Sequence, residues 1–254
     1  MRSKSIEILV RTLLFGMFLI IPSSVYAEAF SITLVNFNNL QITSSAGNIT
    51  FGVWQASVFA TAGQNSGGLI EETNTATSTG LALATATVPF ANATGEANAT
   101  NLTSSAVSLV DVGPCVCPAS STGRATLSNT FMVTGVNGPV DVTISGMIAS
   151  TQNLFTDVFG LFAQSQFSVS FFVDSIAVFS MEFPRITIGT NSIDSVLISQ
   201  QLAGAITVQP DIQRTVTIVI QVDSSGFDAV PEPATAVLLL TGLGSLIGLI
   251  KRRR

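Results

Sequence analysis

The chain has 254 residues, 47% of them hydrophobic and only 10% charged, with a formal net charge of −5. It contains no histidine, which excludes Ser-His-Asp and Cys-His catalysis and most zinc sites. Two cysteines cannot build a disulfide-rich scaffold or a four-thiolate metal site. Mean hydropathy is +0.56, yet only the two ends carry apolar runs approaching the length of a membrane span, which argues against a polytopic membrane protein.

Residues 1–27 read as a secretory signal peptide. Arg2, Lys4 and Arg11 supply a basic start, Leu13 to Ile21 an apolar core, and Pro22 a helix break. Val25-Tyr26-Ala27 then places a branched and a small residue, Val25 and Ala27, where signal peptidase reads. The core falls short of the ~20 residues a span requires, which favours cleavage after Ala27 over an uncleaved anchor.

Residues 28–229 form the exported body, long enough for one domain that buries roughly 70% of its unfolded surface. Only Arg124, Arg185 and Arg214 are basic there, against thirteen acids, a balance of −10. So few cations cannot neutralise phosphates, and nucleic acid is excluded as a partner.

Along this body, Ile32, Leu34 and Asn36 share one parity, as do Ile49, Phe51 and Val53. Trp54 reads as core, between Val53 and Val58. Glu71-Glu72 is an acidic point. The stretch 73–108 is low in complexity, rich in Ala, Thr, Asn and Ser, with Ala-Asn-Ala-Thr at 91–94 and 97–100. Two readings stand for it: a sheet exposed on both faces with weak register, or disorder. Asn48, Asn92, Asn98 and Asn101 each match an N-x-T pattern, which such a composition produces by chance.

Cys115 and Cys117 lie in Pro-Cys-Val-Cys-Pro. Outside the cytosol, oxidation is expected. The two readings are a tight local disulfide pinching a loop and a bridge between chains; a metal role lacks further thiol or imidazole ligands.

Asn137-Gly138, with Val140, Val142 and Ile144 alternating after it, predicts a hairpin turn. Leu154, Val158, Leu161 and Phe162 fall at helical spacing, so a short helix over 153–163 competes with a loop packed by Phe155 and Phe159. Phe167, Val169 and Phe171 alternate with serines, a turn falls near Asp174-Ser175, and Ile176, Val178 and Ser180 continue beyond it. Val216, Ile218, Ile220 and Val222 alternate again. Asp223 to Asp228 reads as a solvated turn, whose two end carboxylates make a weak calcium candidate. Short strands rich in Thr, Ser, Val and Phe predict an all-β fold, an antiparallel sandwich or jelly roll.

The tail over 230–254 has three parts. Val230-Pro231-Glu232-Pro233 is an extended stretch, because two prolines cannot continue a helix. Residues 234–250 are apolar, and seventeen helical residues would cover ~25 Å, a single transmembrane helix slightly shorter than the hydrocarbon core. Gly244 and Gly248 add a small-x-x-x-small pair within it. Lys251, Arg252, Arg253 and Arg254 stop transfer and stay cytoplasmic by the positive-inside bias.

In order and spacing this tail resembles the PEP-CTERM sorting signal of Gram-negative bacteria. The resemblance implies recognition by exosortase, a membrane-embedded cysteine transpeptidase, and cleavage close to Pro231-Glu232-Pro233. It also implies a role beside exopolysaccharide and biofilm matrix. The expected protein is exported through the inner membrane, anchored until processed, then released to the cell surface or beyond. Its expected role is structural, with no enzymatic activity and no cofactor. The alternative is a surface module that binds extracellular polysaccharide or calcium.

Overall fold

Branched and small apolar residues alternating with Thr, Ser and Asn favour extended backbone and give each strand one face to bury. A computed structural model describes residues 29–65, 69–112, 118–157 and 160–228; for Gly160, Leu161 and Asp228 it describes the backbone alone. The described residues form thirteen strands and no helix.

In chain order, β1 (Ala29–Ser44), β2 (Asn48–Phe51) and β3 (Gln55–Asn65) come first. The low-complexity stretch follows as β4 (Leu69–Ser78), β5 (Leu81–Val88), β6 (Ala91–Asn98) and β7 (Thr103–Val112). Two long strands, β8 (Ala119–Thr134) and β9 (Val140–Thr156), precede β10 (Gly160–Val173) and β11 (Ile176–Gly189). The chain ends in β12 (Ser192–Val208) and β13 (Arg214–Asp228).

All pairings are antiparallel. One sheet has the order β12-β9-β1-β7-β6-β5, the other β11-β10-β13-β8-β3-β4, with β2 also on β8. The sheets pack face to face: β9 on β10, β1 on β13, β7 on β8, β6 on β3, and β12 beside β11. The all-β antiparallel expectation holds.

The core is a wedge. At its thick end Phe37, Phe167, Phe171, Ile144, Ile148, Ile218 and Ile220 are buried, and Phe37 meets Phe171 edge-on at 5.7 Å. At the thin end alanines replace them, among them Ala56, Ala60, Ala84, Ala93, Ala106 and Ala125. There Gly95 and Gly123 let the two backbones touch: a Cβ on Gly95 would stand 2.4 Å from the Arg124 carbonyl oxygen.

Several sequence expectations change. Residues 73–78 lie in β4, at the edge of the second sheet and largely exposed on both faces, whereas β5 to β7 wall the thin half from the first sheet with alanines inside and Thr and Asn outside. All four strands pair in continuous register. The Ala-Asn-Ala-Thr repeats fit this: Asn98 Oδ1 accepts the N–H groups of Thr100 and Asn101 in a turn, and Asn92 donates to Thr87 Oγ1. Among the described residues of 153–163 there is no helix: 153–156 and 160–163 are strand, while Val158 of the helical reading and Phe159 of the loop reading lie outside the described residues. On either side, β9 and β10 follow period two, burying Gln152, Leu154 and Thr156 on one and Ala163 and Ser165 on the other.

Asn137-Gly138 makes no hairpin. β8 is flanked by β13 and β3, and β9 by β12 and β1, so neither has a free side for the other and the loop crosses between sheets. Pro139, lacking an N–H, stands just before β9. The turn at Asp174-Ser175 is a two-residue hairpin, both residues with positive φ (49° and 68°), the backbone of a type I′ turn. Asp223 to Asp228 is not a turn but the end of β13.

The parity of β1 is inverted: Ser31, Thr33, Val35 and Phe37 point inward, and Ile32 and Leu34 are half-buried on the outer face. The physical reason is a seam of hydroxyls between the sheets. Thr33 Oγ1 bonds Ser165 Oγ and lies 3.3 Å from Ser224 Oγ. Gln152 Nε2 donates to Ser165 Oγ at 2.8 Å, and Ser224 Oγ donates to the Ser108 carbonyl. Ser108 and Ser121 hydroxyls are 2.7 Å apart. A buried polar group that is satisfied across the interface costs little.

Candidate functional site

β8, β10 and β13 each turn one parity into the core, so the other faces outward, and at 120 and 122, 164 and 166, and 223 and 225 it is polar. Registers then set these side chains in rows. Thr61, Thr122, Asp223 and Gln166 lie across β3, β8, β13 and β10. Beside them, Gly63, Ser120, Ser225, Gln164 and Thr187 make a parallel row. Six strands at ~4.8 Å spacing extend this face over about 24 Å.

The rows are cross-linked. Thr122 Oγ1 donates to Asp223 Oδ1 at 2.6 Å, and Gln221 Nε2 to Asp223 Oδ2 at 3.2 Å. Arg185 Nε donates to Gln166 Oε1 at 3.1 Å. Ser225 Oγ donates to Gln164 Oε1, whose amide nitrogen donates to Thr187 Oγ1. Two open hollows join along these rows. One of about 380 Å³ is lined by Thr61, Glu71, Ser120, Phe162 and Ser225. Its neighbour of about 210 Å³ is lined by Gln164, Gln166, Arg185, Asp223 and Ser225. Phe162 and Phe227 stack at the rim, ring centroids 6.3 Å apart.

Planar amides, a carboxylate and a guanidinium held in fixed directions, next to an aromatic surface, suit a ligand with many hydroxyls and apolar C–H faces. Local sequence motifs missed this groove. The signal available was three polar i, i+2 pairs, Ser120/Thr122, Gln164/Gln166 and Asp223/Ser225, on strands whose other parity is apolar.

The structure separates the calcium candidates. Four residues of β13 lie between Asp223 and Asp228, ~16 Å of strand from one to the other, and Asp223 already accepts the bonds given above; the Asp228 side chain lies outside the described residues. No group of three or more Cys, Asp or Glu able to hold a metal occurs among the described residues. Glu72 serves another end: its carboxylate accepts the Thr87 N–H and an Asn74 amide hydrogen, both at 2.9 Å. Trp54 is half-buried at the edge of the core, 6.3 Å from the Phe51 ring.

Asp174 sits at the opposite end of the second sheet. Burial alone would raise its carboxyl, but the Thr215 N–H and the Arg214 guanidinium, 2.8 Å away, together hold it below its ordinary value.

Cys115 and Cys117, the signal-peptide positions Val25 and Ala27, and the whole tail from Val230 to Arg254 lie outside the described residues. The tail is identified by its sequence: residues 229–254 match the family model of the PEP-CTERM protein-sorting motif. No curated protein and no solved structure matches the chain.

Proposed function

We propose that this chain, which carries a PEP-CTERM protein-sorting motif over residues 229–254, is an exported exosortase substrate that serves as a structural protein of the cell surface or extracellular matrix. Signal peptidase removes residues 1–27. The apolar run 234–250 holds the chain in the membrane with Lys251 to Arg254 in the cytoplasm, and exosortase cuts near Pro231-Glu232-Pro233. The observation that carries this reading is the tail, where an extended acidic proline motif, an apolar run and a basic cluster follow one another in fixed order. A −10 body displaying hydroxyls and amides supports a place in a hydrated polysaccharide matrix rather than on nucleic acid.

Alanine replacement of Pro231, Glu232 and Pro233 together tests the processing. The variant is expected as a longer, membrane-retained species on an immunoblot of fractionated cells. Equal mobility and equal fractionation of variant and wild type would refute it.

The groove favours a second reading, a module that binds extracellular polysaccharide through the side chains on β8, β13 and β10. Arraying the processed protein on glycans, with Gln164→Ala and Asp223→Ala alongside, checks it. Retention that both substitutions weaken supports the groove; no retention on any glycan retires it.

A further inference from the structure

A sandwich of two open sheets has four lateral edges, each a row of unpaired backbone groups that can recruit another strand. Three are managed here. At β5 the side chains of β4 reach across the corner: Glu72 takes the Thr87 N–H and Asn74 donates to the Thr85 carbonyl. β4 itself carries Glu71 and Glu72. β11 contains Glu182, Pro184 and Arg185, and its pairing with β10 is broken by two register shifts.

The fourth edge has no such device. β12 is 17 residues long and pairs only with β9 among the described residues, without a single register shift. From Ser195 to Val208 it has no ionisable side chain and no proline. Its outer face presents Ile193 and Leu197, 80% and 78% exposed. β11 closes in from Gln200, whose amide donates to Met181 Sδ at 3.5 Å, to Gly204, where a Cβ would stand 2.7 Å from the Val178 carbonyl oxygen. Ser192 to Ser199 is therefore the open length.

We propose that this edge pairs antiparallel with the same edge of a second copy, about a two-fold axis at Leu197, joining the two six-stranded sheets into one. The occupant is a second copy because the strand complements itself. An axis at Leu197 sets Leu197 against its counterpart on the outer face and Val196 against Ile198 of the partner subunit on the inner one. Asp194, the one charge, then faces Gln200 of the partner subunit rather than another carboxylate. In a body of net charge −10, copies repel across most faces, and this edge, with a single charge that the pairing sets against an amide, is where repulsion is least.

The processed protein, purified in reductant so that no Cys115 or Cys117 bridge can join chains, is compared by sedimentation with Leu197→Lys and Ile176→Lys. Ile176, 62% exposed, adds the same charge on β11. Wild type and Ile176→Lys are expected at twice the monomer mass at high micromolar concentration. Leu197→Lys should show half that mass, and at dilutions where the wild type is monomeric the two melting curves should coincide, since the replaced side chain is exposed. Amide exchange of 192–199 should slow as wild-type concentration rises. A monomeric wild type, a dimer that Leu197→Lys leaves intact, or exchange in 192–199 independent of concentration would each overturn the proposal. The last outcome would assign the edge to another segment of the same chain.

Discussion

Substituting Gly95 by alanine probes the thin half of the wedge. The added Cβ would lie 2.4 Å from the Arg124 carbonyl oxygen and 3.1 Å from the Phe59 carbonyl oxygen. Both are backbone atoms of the facing sheet, so no side chain can swing aside. Ordinary contact begins at 3.4 Å, and the sheets would have to part by about 1 Å at this point. Overpacking of this kind costs about 1–3 kcal/mol, and a rigid backbone obstacle places Gly95→Ala at the upper end, about 3 kcal/mol. At about 2–4 °C per kcal/mol for a domain of this size, melting should fall by about 6–12 °C. Gly123→Ala, whose Cβ would meet the Thr94 and Val107 carbonyl oxygens at 2.6 Å, should behave alike. The double variant should lose less than the sum, because both insertions open the same gap. Gly63→Ala is the control: it meets nothing nearer than 3.8 Å and should stay within about 0.5 kcal/mol of wild type. Thermal melts by circular dichroism compare the four variants with wild type. If Gly95→Ala melts with Gly63→Ala, the sheets are not in backbone contact and the wedge is wrong.

Thr33→Val removes one hydroxyl from the buried seam while Ser165 and Ser224 keep their other partners; urea unfolding should show a loss of about 1–2 kcal/mol. Asp174 has a lowered pKa in the folded state, so its stabilisation is complete above the ordinary value of 3.8 and is lost as pH falls through the folded value. Asp174→Asn, which tolerates the positive φ of that turn, should melt below wild type at neutral pH and converge with it in strong acid; the exposed pair limits the difference to about 1 kcal/mol. Glu72→Ala uncaps β5: the Thr87 amide should exchange faster, and light scattering should show assemblies larger than a dimer.

Legibility in the sequence followed the strength of the local apolar signal. Val216 to Val222 and Phe167 to Phe171 alternate large apolar residues with polar ones, and all seven are buried. Alanines over 82–106 do the same work with little hydrophobic contrast, so their core face was hidden inside a low-complexity composition. In β1 the contrast misled: Ile32 and Leu34 outrank Ser31 and Thr33 in hydrophobicity, and only the hydroxyls of β10 and β13, more than 130 residues away, make the inward choice favourable. Asn137-Gly138 has hairpin chemistry, but pairing partners are set by the whole sheet order and not by the turn. The groove draws on strands from β3 to β11, so no contiguous motif could announce it, whereas the sorting tail is contiguous and was readable outright.

Placement of the terminal strands connects this architecture to the proposed sorting. β13 is an interior strand, between β10 and β8, and β1 is interior to the other sheet. Their outer ends meet at one end of the sandwich, where a Cβ on Gly226 would lie 3.6 Å from the Ala29 carbonyl oxygen. The second sheet therefore cannot close until the chain up to Asp228 is available to it. Five residues, 229–233, separate that strand from the apolar run in sequence, and fully extended they reach at most ~18 Å. A membrane-held precursor must then carry its folded body within that distance of the bilayer, with the Pro-Glu-Pro motif in the gap. Cleavage there requires exosortase to grip the chain beside an already completed sheet, and that geometry favours a membrane-embedded enzyme over one approaching from bulk solvent.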